Sequence, residues 1–157
     1  MRDSGTLDQF CALGLPKLLV FAPCEKVILD EQGNPSLIAI IQGLSTPPLP
    51  PDTALPSNPM GFMRWDVFTL WQRESGDAER EFVQLCQLVG PDNGVSLNAD
   101  MSFKVEASTQ RNIMSFFGFP LATPGQHLLK LLIRAKDGTE FKEVATFPIT
   151  VTREGKA

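Results

Sequence analysis

The fold is decided late in the chain, in residues 128–152, which read LLKLLIRAKDGTEFKEVATFPITVT. Leucine and isoleucine at positions 129, 131 and 133 alternate with a set that includes Lys130 and Arg134. Apolar residues at 145, 147, 149 and 151 alternate with threonines at 146, 150 and 152. Such alternation places one set of side chains on each face of a strand. Because Asp137-Gly138 between the two runs is typical of a tight turn, the sequence predicts an antiparallel hairpin.

Short apolar runs separated by turn residues extend from this hairpin back to Lys17. Residues 24–30 and 36–43 predict a second hairpin around Gly33, and residues 62–73 predict one long strand. Residues 99–107 and 111–119 predict two more strands. We therefore expect an all-β chain, an antiparallel, immunoglobulin-like β-sandwich of seven to nine strands with at most one short helix.

Residues 78–89 leave the choice between strand and helix open. Phe82, Leu85, Cys86 and Val89 have the spacing of one helical face. As a strand, the same segment would turn Phe82, Gln84, Cys86 and Leu88 to one side. The β-rich neighbours on both sides favour the strand.

The domain boundaries follow from the same change in pattern. We expect residues 1–16 to be an N-terminal tail, residues 17–153 a single domain, and residues 154–157 a C-terminal tail. Residues 46–59 contain six prolines, which exclude a helix or a central strand. This segment fits a stiff crossing between strands, or else a P-x-x-P ligand through Pro47 and Pro50 or Pro48 and Pro51.

Composition limits the partners. The 157 residues are 43% hydrophobic and carry a net charge of −4, which argues against both disorder and a nucleic-acid partner. No apolar run approaches the ~20 residues of a membrane-spanning helix, so we expect no membrane partner. The run from Leu18 to Cys24 is too short for a secretion signal and contains Pro23. Three cysteines without a C-x-x-C motif favour buried thiols in a reducing, cytoplasmic setting.

The run from Cys24 to Asp30, Gly33 and the Ser36-Leu37-Ile38 strand are similar to the opening of a family of uncharacterised bacterial proteins. The turn at residues 90–94 and the Pro124-Gly125 turn before the terminal hairpin resemble that family too. The resemblance spans roughly residues 18–152 and implies a small immunoglobulin-like sandwich of unknown function. It transfers no catalytic residue, and the family pattern lacks the two-tryptophan strand and the dense prolines found here.

No motif predicts catalysis or a cofactor. His127 is the only histidine, and we expect it at an exposed strand edge. A triad would have to pass through it, and Cys11, Cys24, Cys86 and His127 lack zinc-ligand spacing. Asp66, Glu81 and Glu106 could form a carboxylate pair only if the sheet brought them together. We therefore expect a chain without enzymatic activity, metal or cofactor.

Four residues are candidates for a recognition surface. Trp65 and Trp71 share one strand face, which is either part of the core or an exposed aromatic platform. Leu128 and Leu132 share the outer face of their strand and could form an apolar patch. We expect an interaction module that contacts another protein or a second copy of itself. The alternative is a carbohydrate-type ligand module that uses the tryptophan platform.

Overall fold

The computed structural model describes residues 14–48, 60–74, 79–121 and 123–155. These ranges contain nine strands and no helix, which confirms the all-β prediction. The strands are β1 (Lys17–Leu29), β2 (Pro35–Ile40), β3 (Gly43–Thr46), β4 (Met60–Gln72), β5 (Glu81–Val89), β6 (Val95–Lys104), β7 (Thr109–Pro120), β8 (Gly125–Ala135) and β9 (Lys142–Arg153).

Two sheets pack face to face as a β-sandwich. The first has the order β2-β1-β4-β7, and the second has the order β3-β9-β8-β5-β6. Among the described strands, every pairing is antiparallel except that of β3 with β9. The predicted sandwich is therefore correct, with one parallel pair that the sequence did not indicate.

The C-terminal hairpin forms as its alternation predicts. Leu129, Leu131 and Ile133 of β8 are fully buried, as is Ile149 of β9. The connection between the strands is longer than a two-residue turn, and it begins with a bond from the Gly138 N–H to the Ala135 carbonyl, 2.9 Å long. β8 lies between β9 and β5, and its buried side chains belong to the main core, together with Trp65 and Trp71 of the first sheet.

The open choice at residues 78–89 is settled in favour of a strand. β5 pairs with β6 on one edge and with β8 on the other. Phe82, Gln84, Cys86 and Leu88 are all buried on the face that meets the first sheet. The helical spacing of apolar residues arises because Leu85 and Val89 lie on the opposite, outer face of the same strand.

The chain changes sheets twice near the proline-rich segment. The predicted strand 36–43 is interrupted at Ile41 and Gln42, where the chain passes from β2 in the first sheet to β3 in the second. The Gln42 carbonyl accepts a bond from Thr150 of β9. The chain is back in the first sheet at β4, so the ends of the proline-rich segment belong to different sheets. Pro50 and Pro51 lie outside the described residues, as does Cys11.

The β1–β2 hairpin bends away from its sheet. The pairing of β1 with β4 ends at Cys24 opposite Asp66, whereas its pairing with β2 begins there, at Cys24 opposite Ile40. Next to this bend in β2, Ala39 has a φ of 51°, a left-handed conformation that is uncommon for residues other than glycine. We call residues 24–40 the flap.

Two bonds show where the flap goes. The Val27 N–H donates to the Asp66 carboxylate over 2.9 Å, and Arg111 of β7 donates to the Gly33 carbonyl at the flap tip. On β4, Val67 and Thr69 face the second sheet, so Asp66 and Leu70 point away from it. Arg111 of β7 pairs with Leu70 and therefore also points away from the second sheet. The flap therefore crosses the outer face of the first sheet diagonally, from β1 toward β7.

The end of the predicted N-terminal tail is packed against the sandwich. Leu15 is 6% exposed and belongs to the main core, and Pro16 is also buried. The Arg80 guanidinium donates to the Gly14 carbonyl over 2.6 Å. Apolar contact and this bond fix residues 14–16, whereas residues 1–13 of the predicted tail lie outside the described ranges.

Candidate functional site

Trp65 and Trp71 face the second sheet. They share one face, as the alternation predicts, and both are 0% exposed, so of the two alternatives the core is correct and the exposed aromatic platform is not. The Trp65 indole N–H donates to the Gly118 carbonyl over 2.8 Å. The Trp71 ring stacks on Phe103 with centroids 5.6 Å apart. A large aromatic ring gains most by complete burial when its N–H finds a partner, and both indoles satisfy this condition.

Gln84 of β5 forms a polar centre between the sheets. Its Oε1 accepts bonds from Thr69 Oγ1 and Trp71 Nε1, each 3.0 Å long, and from Asn112 Nδ2 at 2.9 Å. All three donors belong to the first sheet, so one amide oxygen of the second sheet joins β4 and β7 to β5. The arrangement satisfies four buried polar groups at once and leaves this oxygen no further role in chemistry.

One feature of the sequence weakly indicates the polar centre at Gln84. Gln84 stands between Phe82 and Cys86 on the inward side of β5, and a polar residue there needs a buried partner. The side-chain nitrogen of Gln84 lies 3.3 Å from Met114 Sδ, and Cys86 Sγ lies 3.6 Å from the same sulfur. Alternation predicted the direction of Gln84, but the three donors could not be identified without the packing of the two sheets.

His127 is not at an exposed edge, contrary to the prediction. It is 2% exposed on β8, a strand with neighbours on both sides. The residue shares the inward parity of Leu129 and Leu131, and its ring meets Phe119 edge-on with centroids 5.5 Å apart. Its Nε2 lies 3.0 Å from the Thr123 carbonyl, and its Nδ1 has no hydrogen-bond partner among the described residues. Neither nitrogen has the nucleophile or acid partner of a triad in that part of the chain.

The three carboxylates do not converge. Asp66 is buried on the outer face of the first sheet, where Ser115 Oγ donates to it over 2.6 Å. Glu81 begins β5 in the second sheet and forms an ion pair with Lys136 at 2.6 Å. Glu106 follows β6, and its carbonyl accepts a bond from Arg73. Asp66 thus anchors the flap and Ser115, which is a structural role rather than general acid–base chemistry.

The buried thiols are poor nucleophiles. Burial, together with the neighbouring Asp66 carboxylate, raises the pKa of Cys24 to about 11. Burial raises the pKa of Cys86 to about 12. Both thiols are free and remain protonated near neutral pH, so neither offers the thiolate that catalysis or metal binding needs.

Leu128 and Leu132 lie on the outer face of the second sheet, as predicted, where they are half-buried. Leu132 pairs with Leu85, and Leu128 pairs with Val89. Charged side chains divide this surface. Lys130 forms an ion pair with Glu143 at 3.2 Å, and the Arg134 guanidinium lies 4.9 Å from the centre of the Phe141 ring. The two leucines therefore contribute to a mixed surface rather than to a continuous apolar patch.

Most of the exposed apolar residues are on the flap. Seven large hydrophobic residues are exposed in the described part of the chain, and four of them belong to the flap: Ile28, Leu29, Ile38 and Ile40. Their exposed fractions lie between 43% and 48%. This exposure could not be expected from the sequence, because the same residues fit the alternation of a hairpin inside the sandwich.

Among the exposed hydrophobic residues outside the flap, Phe117 has the largest exposed fraction, 80%. It lies on β7, the edge strand of the first sheet opposite β2. It shares the outer face of that sheet with Ser115, and the Arg64 guanidinium lies 5.9 Å from the centre of its ring. Arg64 covers part of this ring.

One shallow depression of about 360 Å³ lies beside the start of β5. It is lined by Glu79, Arg80, Glu81, Lys136 and Asp137. Lys136 is paired with Glu81, and Arg80 donates to Gly14, so its cations are already engaged by the protein. The depression lacks the apolar lining of a typical ligand pocket.

Residues 14–48, 60–74, 79–121 and 123–155 contain no group of three His, Cys, Asp or Glu side chains that could hold a metal ion. They also contain no helix with the length and hydropathy needed to cross a membrane.

No protein-family model matches this chain, and no curated protein shows significant similarity to it. The resemblance to uncharacterised bacterial proteins therefore stays a prediction, and the geometry of the chain itself is the basis for a functional assignment.

Proposed function

We propose that this chain is a non-enzymatic β-sandwich module that acts through protein–protein contacts, with the exposed surface of the flap as its contact site. The observation that carries the proposal is the concentration of Ile28, Leu29, Ile38 and Ile40 on one hairpin. Single exposed hydrophobic residues are common on protein surfaces, whereas several on one element favour an interaction site. By the register of the hairpin, Ile28 and Ile38 share one face, and Leu29 lies on the other. The buried polar groups Gln84 and Asp66 are engaged in holding the fold, which supports a non-catalytic role.

A second copy of the chain is the partner that this surface fits best. β2 is an edge strand of the first sheet, and such edges pair readily with another strand. In a two-fold contact, each residue near the axis meets its own equivalent, so Ile38 and Ile40 would meet apolar side chains. The finer assignments, an immunoglobulin-like sandwich and a reducing cytoplasmic setting, are proposed on the strand pattern and on the two free buried thiols.

Light scattering at micromolar concentration tests this proposal. We expect the wild-type chain to have a mass above that of the monomer and the Ile40→Glu variant to be monomeric, because a carboxylate would have to be buried in the contact. Val95→Glu is the matched control, since Val95 is 55% exposed on β6 at the edge of the second sheet. A strictly monomeric wild-type chain contradicts the self-association, and an oligomer that survives Ile40→Glu contradicts the flap as its site.

A further inference from the structure

The flap is joined to the sandwich mainly through side chains. Beyond Cys24, β1 has no backbone pairing with β4. The Asp66 carboxylate holds Val27, and Arg111 holds Gly33. At the base, the Ile41 N–H donates to the Pro23 carbonyl over 2.9 Å, which keeps the two ends of the flap together. Lifting residues 25–40 would therefore break none of the ladder between β1 and β4.

The face that the flap crosses contains a second buried group. Ala22, Cys24, Asp66 and Phe68 are at most 5% exposed, although their side chains point away from the second sheet. Ala22 pairs with Phe68 and Cys24 pairs with Asp66, so the four lie side by side on β1 and β4. Ala22, Cys24 and Phe68 lie outside the main core between the sheets. Their burial depends on cover from the outer side.

We propose that the flap opens and closes as a unit while both sheets remain folded, and that its opening exposes the apolar face around Phe68 together with the Cys24 thiol. Segments that open locally in folded proteins have few buried apolar contacts. The flap fits this description, because Ile28, Ile38 and Ile40 are all exposed even in the closed state. The proposal concerns the underside of the flap, and it stands whether or not a partner binds the outer surface.

The two described cysteines make opening measurable. Cys24 lies at the bend of the flap, and Cys86 lies in the core between the sheets; both are 0% exposed. A thiol reagent reacts with the accessible thiolate, so each labelling rate reports how often that residue is uncovered. The experiment uses the full chain with Cys11→Ser, which leaves only these two thiols. Labelling by N-ethylmaleimide is followed by mass spectrometry of the peptides, across urea concentrations below the unfolding transition.

We expect Cys24 to be labelled at least about tenfold faster than Cys86. The urea dependence is the stronger test, because a local opening exposes little surface and its rate changes little with urea. Labelling of Cys86 requires separation of the sheets and should rise steeply. The same rate and the same urea dependence at both thiols would mean that only global unfolding uncovers Cys24, and this would overturn the proposal.

A pair of arginine variants assigns the opening to the flap. Arg111→Ala removes the bond to the Gly33 carbonyl and should accelerate Cys24 labelling by roughly two- to tenfold, while Cys86 labelling stays unchanged. Arg73→Ala is the control, since Arg73 is also exposed and donates to a carbonyl, that of Glu106, away from the flap. Equal acceleration of Cys24 in the two variants would overturn the role of the flap.

Discussion

The two hairpins of this chain have similar sequence patterns and opposite surroundings. In the C-terminal hairpin, β8 has strands on both edges, and alternate side chains such as Leu131 are fully buried between the sheets. In the flap, β1 no longer pairs with β4 beyond Cys24, and Ile38 and Ile40 of β2 are exposed. Alternation therefore indicates that a hairpin forms, whereas what packs against its faces determines how much of it is buried.

The largest expected difference between the hairpins comes from truncating one apolar residue in each. Leu131→Ala should lower the free energy of unfolding by about 3–5 kcal/mol, because it leaves a cavity among fully buried neighbours. Ile38→Ala should lower it by about 1 kcal/mol or less, since that side chain is 43% exposed. Urea denaturation of both variants measures the difference. Equal losses would mean that the flap is buried in solution and would remove the contrast.

The polar contacts of the hairpins should differ in the opposite direction, with the larger loss at the flap, and by less. Asp66→Asn weakens a buried, charge-assisted acceptor of Val27 and Ser115, and we expect a loss of about 1–3 kcal/mol. Lys130→Met removes a partly exposed ion pair with Glu143, for which about 0–1 kcal/mol is typical. The two free energies of unfolding, measured in one buffer, test the order. A larger loss in Lys130→Met would show that the flap is not held through Asp66.

The smallest expected effect concerns acid. The Asn34 side chain lowers the pKa of Asp30 in the flap turn, and the Thr146 hydroxyl together with Lys130 lowers the pKa of Glu143 in the C-terminal hairpin. A carboxyl group with a lowered pKa stabilises the fold above its ordinary pKa, and this contribution is lost as the pH falls through the lowered value. Both contributions should therefore disappear in acid, around pH 4 and below.

NMR titration of the two carboxyl groups measures these pKa values directly. Asn34→Ala should raise the pKa of Asp30 toward its ordinary value and leave Glu143 unchanged. Thr146→Val should raise the pKa of Glu143 toward its ordinary value and leave that of Asp30 unchanged. Each variant is the control for the other, and a shift of both pKa values in one variant would show that the substitution has disturbed more than its own hairpin.

Much of the fold could be predicted from the sequence because alternation is a local property. It identified the two hairpins, the long strand β4 with both tryptophans on one face, and the inward side of β5. The interruption at Pro23 was visible in the sequence, but the bend that follows at Cys24 was not predicted, because the pattern of a strand does not show which neighbour it pairs with. Ala39 also adopts a left-handed backbone conformation, which cannot be predicted from an alanine.

The candidate residues were harder to place because burial depends on what packs against a face. Trp65, Trp71 and His127 lie on faces that the opposite sheet covers, and the sequence gives only the direction of such a face along its own strand. The partners of Gln84 come from β4 and β7, far along the chain, so no local pattern could reveal them. The exposed surface of the flap could be identified only once the structure showed that β1 stops pairing with β4 at Cys24.

The parallel pairing of β3 with β9 has a consequence for the order in which the chain folds. Leu44 of β3 and Thr152 of β9 are 108 positions apart, and they meet through a bond between the threonine hydroxyl and the leucine carbonyl. Closing so long a loop costs chain entropy that only a formed β9 can offset, and such pairings slow folding. We therefore expect β3 to settle last, after the C-terminal hairpin has joined β5. Until then, the edge of β9 is open to strands from other molecules, so a nascent or refolding chain is most exposed to misassociation there.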